Sequence, residues 1–258
     1  MKERQRFADQ VVVVTGGGAG IGRVFAHRFA AEGASIVIAD RDADAGQRVV
    51  AELETEGRGA LAVSLDVRDT DGAAAMAAAA AGRLGGIDVL INNAGVHLEH
   101  AQLPSTLDAI PLWRNVFDVN VIGALICVAA CREAMAARGG GSVLNVSSIA
   151  AYMGSGAYGA SKLALNSLTV SLAVELGPAG VRVNGIAPGL VDSEAAVEWW
   201  SAPGREGIQE GLVAAQIIKR QGRMDDLADM ALFLCSDEAS FVTGQTILVD
   251  GGFTKKPA

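Results

Sequence analysis

Seven short and almost unbroken apolar runs, separated by helical patterns, constrain this chain more than any other feature. The runs are VVVVT (11–15), SIVIAD (35–40), ALAVSLD (60–66), DVLINN (88–93), SVLNVSS (142–148), VRVNGIA (181–187) and QTILVDGG (245–252). A strand with one wet face alternates apolar and polar residues, whereas a strand covered on both faces has no such need. Between the runs lie helical patterns such as AGIGRVFAHRFAAEG, ADAGQRVVAELETEG and the Ala-rich DTDGAAAMAAAAAGRLG. Asp69 or Thr70 can cap the last of these, which reads as a surface helix rather than low complexity. The alternation predicts an α/β fold: a doubly wound, parallel, seven-stranded sheet with helices on both faces and right-handed crossovers. No linker or second core interrupts residues 1–258, so one domain is expected. The least regular segment, 191–223, would hang over the carboxyl ends of the strands and is the expected lid.

Composition narrows the partners. Half the residues are hydrophobic and 19% are charged, enough for a large core and unlike a disordered chain. A net charge of -8 argues against nucleic acid as the main partner. Cys127, Cys131 and Cys235 form no CxxC pair and no zinc-ligand spacing, so buried thiols, a reducing compartment and no metal are expected. The opening MKERQRFADQ is charged and lacks a signal-peptide apolar region. The longest apolar run, VNVIGALICVAAC (119–131), is too short to span a bilayer. No membrane partner and a cytoplasmic location are the expectation.

The first strand runs into TGGGAGIG, with glycines at 16, 17, 18, 20 and 22 ahead of the first helix. A turn this tight needs residues that accept positive φ, and a pyrophosphate approaches closely only where no Cβ intervenes. The helix N-terminus then presents free N–H groups to the anion. Asp40 closes the second strand, where its carboxylate would accept from both hydroxyls of an adenosine ribose and repel a 2′-phosphate. Arg41 beside it could instead reach toward such a phosphate. NAD is expected over NADP.

TGGGAGIG, NNAG (92–95), YGASK (158–162) and APG (187–189) occur in an order that resembles the short-chain dehydrogenase/reductase superfamily, of the TGxxxGxG and YxxxK type. The resemblance runs from Val11 to Gly252 and implies a Rossmann-type fold with reversible hydride transfer between a nicotinamide cofactor and an alcohol/carbonyl pair. It places Gly16, Gly18, Gly20, Ile21 and Gly22 at the phosphates, and Asp66 and Val67 near the adenine. It sets Asn93, Ala94 and Gly95 along the groove, with Asn92 stabilising the sheet. Pro188 and Gly189 would border the nicotinamide, Val191 would offer its N–H, and Ser193 stands where relatives often carry threonine.

The proton chemistry can be reasoned from the residues. Taking a hydride from an alcohol carbon requires a base for the hydroxyl proton, and an ordinary tyrosine is a poor one at neutral pH. Tyr158 has Lys162 one helical turn away, whose ammonium would favour the phenolate; Tyr152 has only Gly156 at that spacing. Tyr158 is therefore the expected acid/base. The resemblance assigns Ser148 to the substrate oxygen, and Asn120 to a helix distortion that holds a water in a proton relay. Ser147, on the other strand face, reads as structural. Ser148 and Tyr158 are ten apart where most relatives have thirteen residues between them, so a trimmed loop and a reshaped pocket floor are expected.

Substrate walls are expected from 95–103, 151–156 and 197–204, with Tyr152 and Trp199 as candidates and Trp200, His97 and His100 nearby. The lead is a hydrophobic secondary alcohol or ketone, cyclic or steroid-like. The alternatives are a 3-oxoacyl reductase acting on a carrier thioester and a silent nucleotide-binding sensor. The largely apolar helix after Tyr158, with the resemblance, implies a homotetramer.

Overall fold

The computed structural model describes residues 5–96, 103–194, 196–197, 201 and 207–255. Seven strands form one sheet: β1 (Val11–Thr15), β2 (Ser35–Asp40), β3 (Ala60–Ser64), β4 (Val89–Asn92), β5 (Gly141–Val146), β6 (Val181–Pro188) and β7 (Thr246–Val249). All neighbours are parallel, as the alternation predicts, and their order is β3-β2-β1-β4-β5-β6-β7. The third, fourth, fifth and seventh strands stop short of the apolar runs because their last residues turn out of the sheet into loops.

Side-chain alternation within each strand supplies two cores. Val12, Val14, Ile36, Ile38 and Ile91 meet Phe25 and Phe29 of α1 (Gly20–Ala31) and Leu53 of α2 (Ala43–Thr55). Val13, Val37, Leu90 and Val143 meet Met76 of α3 (Thr70–Leu84) and Cys127, Cys131 and Met135 of α5 (Gly123–Ala137). Leu172 of α6 (Gly156–Leu176) joins this second face. Each fully buried side chain of this size stabilises the fold by roughly 1.5–3 kcal/mol relative to exposure. Asp69 caps α3 by accepting from Asp71 N, and Gly85 ends that helix at a φ of 91°, which favours glycine.

Before α5, α4 (Ile110–Phe117) passes through one π turn, Asp118–Ile122. The continuous helical stretch Leu107–Ala137 is long and apolar enough to cross a bilayer, more than the unbroken apolar run suggests. Its inward face is nevertheless committed to the core through Cys127, Val128, Cys131 and Met135.

Strand order reverses direction at β1 and β4, so the crossovers leaving them diverge and open a crevice at their carboxyl ends. The glycine turn and the NNAG segment emerge there. Within 191–223 the described residues include α7 (Ile208–Ala215), none of whose residues is buried, and a bridge between Val191 and Gly222. After it comes α8 (Met224–Cys235), which packs on the first core.

Candidate active site

The glycine turn has the geometry of an anion cradle. A Cβ on Gly22 would lie 2.1 Å from Gly16 O, and one on Gly16 would lie 3.0 Å from Ala94 Cα, so the turn admits no side chain at either point. Gly20 has φ +52 and open space beyond its Cα. Helix α1 begins after Ala19 with no side-chain cap and no acidic residue in its first turn. Its N–H groups are thus uncommitted to a side chain, and a pyrophosphate fits this end of the fold. Ile21 sits in this first turn, packed against the first core.

Neighbouring residues brace the turn. Asn93 Nδ2 donates to Thr15 O and Gly16 O, while the Thr15 hydroxyl accepts from the N–H groups of Asn93 and Ala94. Thr15 is a site-shaping residue that the motif reading passed over; its position at the end of a fully buried strand was the available signal. Asp40 accepts from Gly18 N at 2.9 Å with one oxygen and from Asp42 N at 3.0 Å with the other. Asp42, not Asp40, caps α2 by accepting from Ala45 N. Asp40 therefore ties the second strand to the phosphate turn with its carboxylate at the crevice mouth.

On the adenine side, Asp66 is held by the Arg68 guanidinium, which pushes its carboxyl down to about 2; Arg41 adds a weaker attraction. Arg68 also donates to Asn115 Oδ1 at 3.0 Å. Val67 is buried against α5, where a Cβ on Gly123 would meet its Cγ2 at 2.6 Å.

Ser148, Tyr158 and Lys162 come together although they arise from different elements. Ser148 is extended at φ -167°, starts a 3-10 turn over Ile149–Tyr152 and accepts from Ala150 N at 3.1 Å. Its hydroxyl faces the Tyr158 phenol closely enough to favour the phenolate. Lys162 Nζ lies 5.7 Å from the Tyr158 ring centroid and donates to Val146 O at 2.8 Å. That carbonyl sits beyond the end of the neighbouring β4, which pairs only as far as Asn145.

One expectation is corrected here. Burial raises the Tyr158 pKa and the Ser148 hydroxyl only partly opposes it, so the lysine does not hold the phenol low in this state. Burial also lowers Lys162 to about 8, because the same dry surroundings disfavour its ammonium. Tyr152 is exposed, at the flank of α6. Its hydroxyl accepts from Asn166 Nδ2 at 3.3 Å, two turns or about 12 Å along α6 from Tyr158.

Asn120 lies in the π turn, the local widening that such turns provide. Its amide clasps Val96 through both backbone groups and donates to Ser161 Oγ at 3.0 Å. A Cβ on Gly95 would lie 3.0 Å from Asn120 Oδ1 and 3.4 Å from Lys162 Nζ, so these three residues converge. Pro188 ends β6, and Gly189 N donates to Val249 O. The Val191–Gly222 bridge uses Leu190 O and Asp192 N, leaving Val191 N–H out of that pairing. Ser193 Oγ accepts from Ala196 N. His97, His100, Trp199 and Trp200 lie outside the described residues. Among the described residues, no group of three or more His, Cys, Asp or Glu could hold a metal ion.

Comparison with known proteins agrees with this geometry. A family profile described as enoyl-(acyl carrier protein) reductase matches residues 16–254. Cis-4-hydroxycyclohexanecarboxylate dehydrogenase of Sinomonas cyclohexanicum is 38% identical, covering 97% of this chain and 98% of its own. Dehydrogenase/reductase SDR family member 4 of Bos taurus is also 38% identical, over 98% and 90% of the two chains. Among solved structures, a 7α-hydroxysteroid dehydrogenase complexed with NADH and 7-oxo glycochenodeoxycholic acid superimposes with a TM-score of 0.88. It is 35% identical and covers 98% of this chain and 97% of that one. With a profile match through most of its length and relatives aligned almost end to end, the chain belongs to the short-chain dehydrogenase/reductase superfamily of nicotinamide-dependent oxidoreductases.

Proposed function

We propose that this enzyme catalyses reversible NAD(H)-dependent oxidation of a hydrophobic, cyclic secondary alcohol to its ketone. The observation that carries the reading is the convergence of Ser148, Tyr158 and Lys162 at the carboxyl end of β5 and the start of α6. NAD is favoured by Asp40 at the end of β2, and the cyclic class by two relatives named for cyclohexane-ring and steroid alcohols.

When bound, the cofactor supplies a hydride acceptor at its nicotinamide ring. Ser148 holds the substrate oxygen and steadies charge developing there. In oxidation the Tyr158 oxygen receives the hydroxyl proton as the C–H bond gives up its hydride and the C=O bond forms. In reduction the neutral phenol, which burial favours, returns that proton to the carbonyl oxygen. Lys162, near 8 and able to exchange a proton at mildly alkaline pH, passes it to a water that Asn120 helps to hold.

A second reading, reduction of a carrier-bound thioester, is favoured by the description of the matching profile. A tetramer is the proposed assembly, because Leu163, Val170 and Val174 leave an apolar stripe exposed along α6. The buried thiols Cys127, Cys131 and Cys235 suit a reducing, cytoplasmic setting. The test is a screen of cyclic secondary alcohols with NAD and NADP, run alongside Tyr158→Phe. We expect the variant to keep NADH binding by fluorescence and lose at least ~10²-fold in kcat. Unchanged turnover in Tyr158→Phe would remove the acid/base assignment, and faster turnover of 3-oxoacyl thioesters with NADPH would move the substrate to the second reading.

A further inference from the structure

The segment between Ser148 and Tyr158 is short. Its 3-10 turn packs on α6, where a Cβ on Gly159 would lie 2.5 Å from Ala150 O, whereas a Cβ on Gly154 would meet nothing within 4 Å. The serine is also held against the tyrosine from the strand side, independently of this connection. Three consecutive residues at the end of β5 grip α6 directly. Asn145 Nδ2 donates to Thr169 Oγ1 at 2.9 Å, and that hydroxyl donates to Leu165 O at 2.9 Å. Val146 O accepts from Lys162 Nζ, and Ser147 Oγ donates to Lys162 O at 3.2 Å.

The grip extends into the sheet. Asn145 Oδ1 accepts from Asn92 Nδ2 at 2.9 Å, its register partner on β4, and Asn92 Nδ2 also reaches Ala124 O of α5 at 3.4 Å. Asn145 is 0% exposed, Thr169 1% and Ser147 3%, so solvent offers no replacement partners. Buried polar groups in a chain of this kind fix orientation because each alternative geometry leaves a donor or acceptor bare. The Asn145 amide faces Asn92 with its oxygen and Thr169 with its nitrogen, which sets the strand against the helix both across and along its axis.

We propose that Asn145, Ser147 and Thr169 are positioning residues that set the Ser148–Tyr158 spacing, so that the intervening segment could be shortened without disturbing proton transfer. None of them reaches the reacting atoms; they act through the strand end and the helix. The proposal rests on the Ser148–Tyr158 reading given above. It also accounts for Tyr152, which the short connection lets fold back along α6 to Asn166.

The test uses the full-length enzyme with its best alcohol substrate. Thr169→Val keeps shape but removes the hydroxyl, Thr169→Ser restores it, and a three-residue Gly-Ser-Gly insertion after Met153 lengthens the connection. We expect Thr169→Val to lower kcat about tenfold with KM and NADH affinity within about twofold, and to shift the kinetic pKa of the pH–kcat profile. Thr169→Ser should return both kcat and profile, and the insertion, whatever it does to KM, should leave the kinetic pKa where it is in the parent. If Thr169→Val fails to fold, Ser147→Ala, which removes a single bond, should show the same profile shift with about a threefold loss. The proposal is overturned if the Thr169 or Ser147 variant melts earlier with an unchanged kcat and pH profile, or if the insertion shifts the kinetic pKa as much as Thr169→Val. Tyr158→Phe run in parallel separates the two ideas, since its retained activity would remove the acid/base reading whatever Thr169 does.

Discussion

Replacing Lys162 by methionine should make the cofactor-free protein more stable at neutral pH while abolishing its activity. Lys162 is 4% exposed, its ammonium donates to Val146 O, and burial lowers its pKa from 10.5 to about 8. At 1.36 kcal/mol per pKa unit, keeping the ammonium buried costs about 3 kcal/mol relative to the unfolded chain. Methionine is similar in length and carries no charge. Losing the hydrogen bond and baring the Val146 carbonyl returns about 1–2 kcal/mol of this, so the net gain is about 1–2 kcal/mol. The sign depends on pH. Below pH 8 the lysine is protonated in both states and the burial cost is fully present. Between pH 8 and 10.5 the folded protein sheds this proton while the unfolded chain keeps it, so the parent gains stability and the variant's advantage shrinks. Urea unfolding of both proteins at pH 7.0 and 9.5, at equal protomer concentration, measures the difference. A variant less stable at pH 7, or an advantage that does not diminish at 9.5, would refute the reasoning that desolvation dominates at this lysine.

Four further outcomes follow from the geometry. Asp40→Ser should lower kcat/KM for NAD by about tenfold or more and raise it for NADP, as steady-state assays with both cofactors would reveal; an unchanged ratio would mean the carboxylate only braces Gly18. Gly22→Ala forces a Cβ to within 2.1 Å of Gly16 O and should abolish NADH binding, measured by fluorescence titration. Gly82→Ala, in α3 with nothing within 4 Å of the added Cβ, should instead raise stability by roughly 0.5–1 kcal/mol in urea melts. Val170→Glu with Val174→Glu places two charges on the exposed stripe of α6 and should release smaller species in light scattering; an unchanged mass would remove that face from the assembly.

The fold and the position of the site are legible in the sequence because their signals are local. Continuous β-branched runs reported strands covered on both faces, and the spacing of glycines between a strand and a helix reported a turn without side chains. The four-residue step from Tyr158 to Lys162 reported a shared helix face. Each of these properties is written within a few residues and survives almost any tertiary arrangement. Strand ends were less legible, since a chain leaves a sheet where its neighbours stop pairing, as β5 does once β4 has ended at Asn92.

What the residues do to one another belonged to the tertiary structure. A phenol and an ammonium at helical spacing read as a pair that ionises the tyrosine, yet packing dries both groups and pushes each toward its neutral form. Nothing in the residues around Tyr152 announces Asn166, fourteen positions on, whose amide donates to its hydroxyl at the flank of α6. The link from Asn145 to Thr169 spans 24 positions and carries no motif. Sequence by itself determined which elements form and where the reactive groups enter the fold. Only the folded chain decided their protonation, their partners and their spacing, because desolvation and buried hydrogen bonds depend on segments that are distant until the sheet and its helices close around them.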